Sequence, residues 1–246
     1  MVFGGKVYET DGASAVAVFE AEAVRPLAPI AAAPSLRIFR NDFQPLPQPE
    51  GQEPFYFYGN PTALSGPSQI IPFPEFATRV AVIPFVAAII VSTGYRVEVE
   101  QAEDMVLGYC PMCLLALPEL ENSERRLGGF GRSIDIGGAI GPVLTTPDEL
   151  DDYLVDQEFG RSYGLTAVAR INMVDEARGN LEHLALTFGE AISAASRSTP
   201  VREGDIFALG PIVDLDTPLM LDPGDDFQLS IENLGTLSLK LSEEGV

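Results

Sequence analysis

Lysine is almost missing from this chain, with Lys6 and Lys240 the only two, and 15 basic residues stand against 36 acidic ones. The formal net charge is −21 at pH 7. Like-charge repulsion then raises the cost of every approach to a phosphate backbone or an anionic bilayer. Neither nucleic acid nor membrane is an expected partner. Long apolar runs are missing too. The longest candidate, Val80 to Val91, follows Arg79 and contains Pro84, and it falls well short of the roughly 20 residues that span a bilayer core. The N-terminus lacks the basic-then-apolar succession of a secretory signal, because Glu9, Asp11 and Glu20 arrive early. A cytoplasmic protein is expected. Histidine is limited to His183, and cysteine to Cys110 and Cys113 in a Cys-Pro-Met-Cys motif. A structural zinc site needs a second ligand pair. A thioredoxin-like pair would open a helix after a buried strand, whereas these cysteines lead into Leu114 to Leu117. Two small buried thiols are the expectation.

What the chain does have is apolar content, 46% of 246 residues, enough for a substantial buried interior. Short β segments are expected at Lys6 to Glu9 and Ala15 to Glu22, followed by a Pro/Ala stretch, so residues 1–35 read as a small N-terminal lobe before a core of 36–246. Pro45, Pro47, Pro49 and Pro54 forbid a lasting helix or central strand over 41–54, which reads as a surface loop or lid. Val80 to Thr93 reads as a buried strand and Gly164 to Ile171 as an alternating one. Leu184 to Ser196, with Leu184, Phe188 and Ile192 at helical spacing, is the best helix. Strands at Ile206 to Leu209, Phe227 to Ile231 and Gly235 to Leu241 are separated by Gly-Asp and Pro-Gly-Asp turns. The expected class is mixed, mainly β with few helices.

Several blocks of the chain, taken in order, resemble one family. Gly131-Arg132-Ser133-Ile134-Asp135 leading to Gly141-Pro142 is similar to the Gly-Lys-Ser-Phe-Asp segment of the fumarylacetoacetate hydrolase family. Asn60 to Pro67 resembles its Pro-Thr-Ser-Leu-Gly-Pro loop, and Val106 to Tyr109 its Val-x-Gly-Tyr. Ala169 to Asn172 resembles its Val-Asn-Gly-Glu strand, Glu203 to Ile206 its Pro-Gly-Asp turn, and Leu221 to Asp225 with Ile231 to Leu237 its closing hairpin. The resemblance covers roughly residues 36 to 241. It implies a β-sandwich roll, a homodimer, and a divalent metal held by a Glu-x-Glu strand and a later aspartate, on which oxo acids are hydrolysed, decarboxylated, hydrated or isomerised.

At the matching positions stand Pro84, Val86 and Leu114, which offer no oxygen donor to a hard cation. The segment matching the family's His-Glu lid, Phe39 to Pro45, has no histidine. The pocket lysine becomes Arg132, a permanently charged fork suited to a carboxylate or enolate. A structural ion pair with a neighbour such as Asp135 is the other reading of Arg132. No metal or other cofactor is expected. The expectation is therefore a metal-independent, repurposed enzyme, a cyclase or isomerase acting by positioning on a hydrophobic polyketide-like enone or dicarbonyl of secondary metabolism. Arg132, Tyr58, Tyr109 and Asn172 would be its polar groups, and Pro84, Val86, Leu114 and Tyr56 its pocket. Two alternatives stay open: a non-catalytic pseudoenzyme partner or small-ligand binding protein, and a metal-dependent hydrolase or decarboxylase with relocated acids such as Asp135 with Glu119 or Glu121.

Overall fold

A computed structural model describes residues 2–3, 6–10, 15–20, 23–40, 54–129, 131–155, 159–215 and 217–243. In chain order the first strands are β1 (Val2–Phe3), β2 (Lys6–Thr10), β3 (Ala15–Glu20), β4 (Leu36–Arg40), β5 (Phe57–Gly59), β6 (Leu64–Ser65), β7 (Gln69–Ile71), β8 (Val80–Ile90), β9 (Val106–Ala116) and β10 (Gly138–Ile140). There follow β11 (Leu154–Val155), β12 (Ser162–Tyr163), β13 (Thr166–Ile171), β14 (Val174–Asn180), β15 (Ile206–Gly210), β16 (Leu219–Leu221), β17 (Asp226–Ile231) and β18 (Gly235–Leu241). The α-helices are α1 (Val99–Glu103), α2 (Pro118–Arg125) and α3 (Phe188–Ser198). The class expected from the sequence, mixed and mainly β with few helices, is the one found. The proline-rich lid expected over 41–54 lies, except for Pro54, outside the described residues.

β1, β2 and β3 form a small antiparallel sheet of their own. The main body is two sheets. One has eight strands in the order β5-β4-β15-β8-β9-β10-β6, with β16 also paired to β8, and the other has five in the order β14-β13-β17-β18-β7. Alternation puts one row of each strand into the space between them. Leu237, Leu239 and Leu241 of β18 and Phe227, Leu229 and Ile231 of β17 meet Val82, Val86 and Ala88 of β8 there. α3 closes the same core with Phe188, Ala191, Ile192 and Ala195. It begins four residues later than its apolar spacing suggests, because Thr187 and Glu190 form a capping box at its start.

The outer face of the large sheet is just as apolar. Leu36, Ile38, Ala81, Ile83, Phe85, Ala87, Met112 and Leu114 are all buried there. Part of the Pro/Ala stretch covers them, with Ala28, Ile30 and Ala33 packed on this face. The strap runs so close that a β-carbon on Gly66 would stand 2.7 Å from the Ala28 backbone nitrogen, so glycine is required there.

Two prolines lie in the central pair β8 and β9, where a missing N–H would ordinarily break a ladder. Each sits where an outer neighbour ends. β15 pairs β8 up to Val86 and β16 resumes at Val82, so Pro84 falls in the gap between them. Its carbonyl accepts the Ile212 N–H at 3.2 Å. Pro111 lies just beyond the last β10 pair, Ile140 with Met112, and its carbonyl accepts the Gly141 N–H at 3.0 Å.

Candidate functional site

The positions that the resemblance marks for metal ligands lie on β8 and β9, which pair antiparallel with Ile83 opposite Leu114 and Pro84 opposite Cys113. Residues directly opposite share a face. Val86, 1% exposed, faces the core between the sheets, and alternation puts Pro84 on that side, whereas Leu114, 4% exposed, faces outward with Ile83 and Phe85. The common cavity expected for Pro84, Val86 and Leu114 is therefore corrected: a sheet separates them. The reason is register. Residue-by-residue matching along each strand says nothing of how the strands are phased against one another, and here the phase differs by one residue. The choice of face does not rescue a ligand set, since every side chain of β8 from Val80 to Ile90 is apolar.

Tyr109 lies in the inner core, 2% exposed, against Tyr163 at 5.4 Å and Phe188 at 5.2 Å between ring centroids. Beside it is a group not among the candidates expected from the sequence, Glu103, 4% exposed. Its Oε1 accepts the backbone N–H groups of Arg161 at 2.8 Å and Gly189 at 3.0 Å, tying the loop before β12 to the start of α3. Among the described residues, its Oε2 and the phenol oxygens of Tyr109 and Tyr163 find no well-formed hydrogen-bond partner. Burial pushes the Glu103 carboxyl above the usual glutamate range, against the two amide contacts that favour the ion. Burial likewise lifts both tyrosines, so neither phenol supplies an oxyanion near neutrality. The apolar neighbours Ala102 and Met105 were the available hint that Glu103 turns inward.

At the other edge of the large sheet, Arg37 and Asp205 form a buried ion pair, 2.9 Å from NH1 to Oδ2, with side chains 4% and 1% exposed. Asp205 also accepts Ser35 Oγ at 2.8 Å and the Arg202 N–H at 2.8 Å. The Arg37 guanidinium lies 5.2 Å from the Phe207 ring centroid and 5.8 Å from that of Tyr58. Tyr56 packs on Phe39 at 5.1 Å and meets Tyr58 edge-on at 5.9 Å. Burial and then the neighbouring Tyr58 raise the Tyr56 phenol. Tyr58 is more than half exposed. The pair forms a rim over the Arg37 platform: Tyr58 lies on the edge strand β5, with β4, β15 and β8 between it and the Tyr109 strand β9, and Tyr56 packs on the inner core.

The remaining candidates are elsewhere. Asn172 occupies a tight hairpin turn at φ +50°, donating to Asp225 Oδ1 at 2.8 Å and accepting the Asp226 N–H at 3.1 Å. Its side chain is committed to holding that turn. Arg132 is exposed on a short 3-10 turn, Arg132–Ile134, and its ion pair is with Glu124 at 3.2 Å. The anticipated partner Asp135 instead accepts Asn60 Nδ2 at 2.8 Å. Arg132 does line a cavity of about 370 Å³ with Phe76, Arg79, Leu117 and Leu120, away from Tyr58, Tyr109 and Asn172. Glu121 is paired with Arg125, and among the described residues it forms no metal-holding group with Asp135. Cys110 and Cys113 are buried on opposite faces of β9, and burial pushes both thiols up to about 12, which makes them inert. His183 is an exposed 3-10-turn residue beside Glu182.

These observations define a two-sheet β roll whose central strands are sealed in hydrocarbon on both faces. The fumarylacetoacetate (FAA) hydrolase C-terminal family matches residues 34–242. The chain belongs to that family. An uncharacterized protein of Pyrococcus abyssi is 28% identical over 199 residues, 78% of this chain and 81% of its own length. One from Staphylococcus saprophyticus is 24% identical over 194 residues, and there the chain spans 61% of the relative's length. Among solved structures, the 2-hydroxyhepta-2,4-diene-1,7-dioate isomerase of Mycobacterium marinum superposes with a TM-score of 0.74 at 22% identity, covering 92% of this chain and 81% of that one. The maleylpyruvate hydrolase of Sphingobium sp. SYK-6, in complex with manganese(II) and pyruvate, gives 0.72 at 21% identity, with coverages of 94% and 78%. The fold is thus shared by isomerases and hydrolases. Among the described residues no three His, Cys, Asp or Glu side chains converge as a metal site. The side chains at the matching positions are carbon, and they do not fit a hydrated divalent cation.

Proposed function

We propose that this chain is a metal-independent member of its family that works by binding rather than by the parent chemistry, as a partner protein or a small-ligand binding protein. The observation that carries this reading is the packing of Val86 and Leu114, 1% and 4% exposed, into continuous apolar layers on the two faces of the central strands. A Lewis acid needs oxygen ligands and an open coordination position. Hydrocarbon at native density supplies neither. The cyclase or isomerase reading would require Arg132, Tyr58, Tyr109 and Asn172 around one substrate. Their settings are an exposed turn, a sheet-edge rim, the inner core and a hairpin, which favours binding over catalysis.

The test combines metal and turnover. The purified chain should carry no stoichiometric magnesium or manganese, its melting temperature should not rise with added Mn²⁺, and it should leave maleylpyruvate and 2-hydroxyhepta-2,4-diene-1,7-dioate unchanged. About one metal ion per chain, or turnover of either compound abolished by a chelator, would overturn the reading.

A further inference from the structure

We propose that the cavity between the segment Phe76 to Arg79 and the start of α2 binds a small amphipathic carboxylate, with Arg79 and Arg132 taking the anion and Leu117, Leu120 and Phe76 its apolar body. The cavity measures about 370 Å³, within the ~300–1,000 Å³ of small-molecule pockets. Its composition is that of such a pocket: an apolar floor with a few convergent polar groups. Leu117 is a buried floor residue at 4% exposure, and Phe76, 76% exposed, is a large ring with no covering layer.

The charges make the choice of ligand. In a chain of net charge −21, two arginines lining one small cavity are a local exception. Each is held through Nε: Arg79 by Asp222 Oδ1 at 2.9 Å, and Arg132 by Glu124 Oε1 at 3.2 Å. Glu124 is itself fixed, since its Oε2 accepts the Ser133 N–H at 3.1 Å. Pairing through Nε fixes each fork at that end, and among the described contacts no ion pair engages the terminal nitrogens of either arginine, the atoms with which a fork grips a carboxylate. α2 presents its N-terminus to the same space, with Pro118 at its first position, and the helix dipole adds to the attraction for an anion. Glu119, exposed on the rim, sets a limit: it disfavours dianions and selects a single carboxylate at one end of an apolar body.

The site stands apart from the question of metal. A ligand here would leave the apolar packing of β8 and β9 untouched, and failure to bind would leave the metal result standing. The experiment is calorimetric titration of the full chain with 4-phenylbutyrate and, as the uncharged counterpart, 4-phenylbutanol. Saturable binding of the acid is expected, with the alcohol at least fivefold weaker. Arg79→Met and Arg132→Met should each weaken the acid by about three- to tenfold, the exposure of both arginines moderating the loss. Ser123→Trp, which fills the cavity from its wall, should abolish binding at an unchanged melting temperature. No saturable binding of the acid, equal or tighter binding of the alcohol, or unaltered affinity in the Arg79→Met/Arg132→Met double variant would each overturn the assignment.

Discussion

Asp205 and Glu103 are the two carboxylates buried to a few per cent in this molecule's described core, and they are answered differently. Asp205 has a guanidinium, a hydroxyl and a backbone amide around it, so both oxygens are used and the charge is paired. Glu103 has two backbone amides on one oxygen and, among the described residues, nothing well formed on the other. Arg161 is within electrostatic reach, but its own ion pair is with Asp104 at the surface. The first acid locks strand β4 to the start of β15 as an ion. The second ties a loop to a helix as a group that burial drives toward its neutral form.

The largest effect should come from breaking the better-paired acid. Asp205→Ala strands Arg37 as a buried, uncompensated cation, and should lower unfolding free energy by about 3–5 kcal/mol in denaturant titration. At Glu103 the comparison turns on which function is removed. Glu103→Ala deletes the acceptor of two buried amides and should cost about 2–4 kcal/mol. Glu103→Gln keeps a carbonyl for those amides and sets an amide NH2 donor beside the two phenol oxygens, so it should cost little or stabilise at neutral pH.

The pH dependence sharpens the same contrast. A carboxyl raised in the fold takes its proton at a higher pH than in the unfolded chain. Its ionisation therefore destabilises the fold above the folded pKa, and that penalty fades as pH falls through the folded value toward the ordinary glutamate value. The wild type should gain stability relative to Glu103→Gln over that descending window, measured as the difference between the two melting curves. An unchanging difference would mean that Glu103 is not strained by its ionisation.

Smaller effects are expected at the surface. Met173 holds φ +68° as the second residue of the two-residue turn Asn172-Met173, a conformation that glycine adopts without cost. Met173→Gly should raise stability by about 0.5–1 kcal/mol. Arg132→Met, removing an exposed ion pair, should change the melting free energy by less than about 1 kcal/mol. That outcome would separate any effect on ligand affinity from an effect on the fold.

Much of the architecture was legible in the sequence because it is written in local periodicity. β15, β17 and β18 were placed from their Gly-Asp and Pro-Gly-Asp punctuation, and α3 from its apolar spacing. β9 was less legible: the cysteines were read only as two small buried thiols leading into Leu114 to Leu117, whereas one strand runs from Val106 to Ala116 through them and Pro111. What sequence could not show was facing. Whether Leu114 meets Pro84 depends on the phase of β8 against β9, which is set by a connection of some fifteen residues containing α1 and by an irregularity between Ile89 and Ile90. Arg132 is turned outward by Glu124, eight positions away, a pairing that no motif announces.

The two central prolines carry one more consequence. In most sheets a strand can be offered to its neighbour in several registers, and only the hydrophobic pattern decides among them. With both faces apolar, as on β8, that pattern is nearly silent, since a slip by one residue exchanges one greasy face for another. Pro84 and Pro111 restore the distinction. Shifted by a residue or two, each would confront a carbonyl of β15, β16 or β10 with no hydrogen to give. They act as index marks on an otherwise featureless pair of strands, excluding wrong pairings where burial alone would tolerate them.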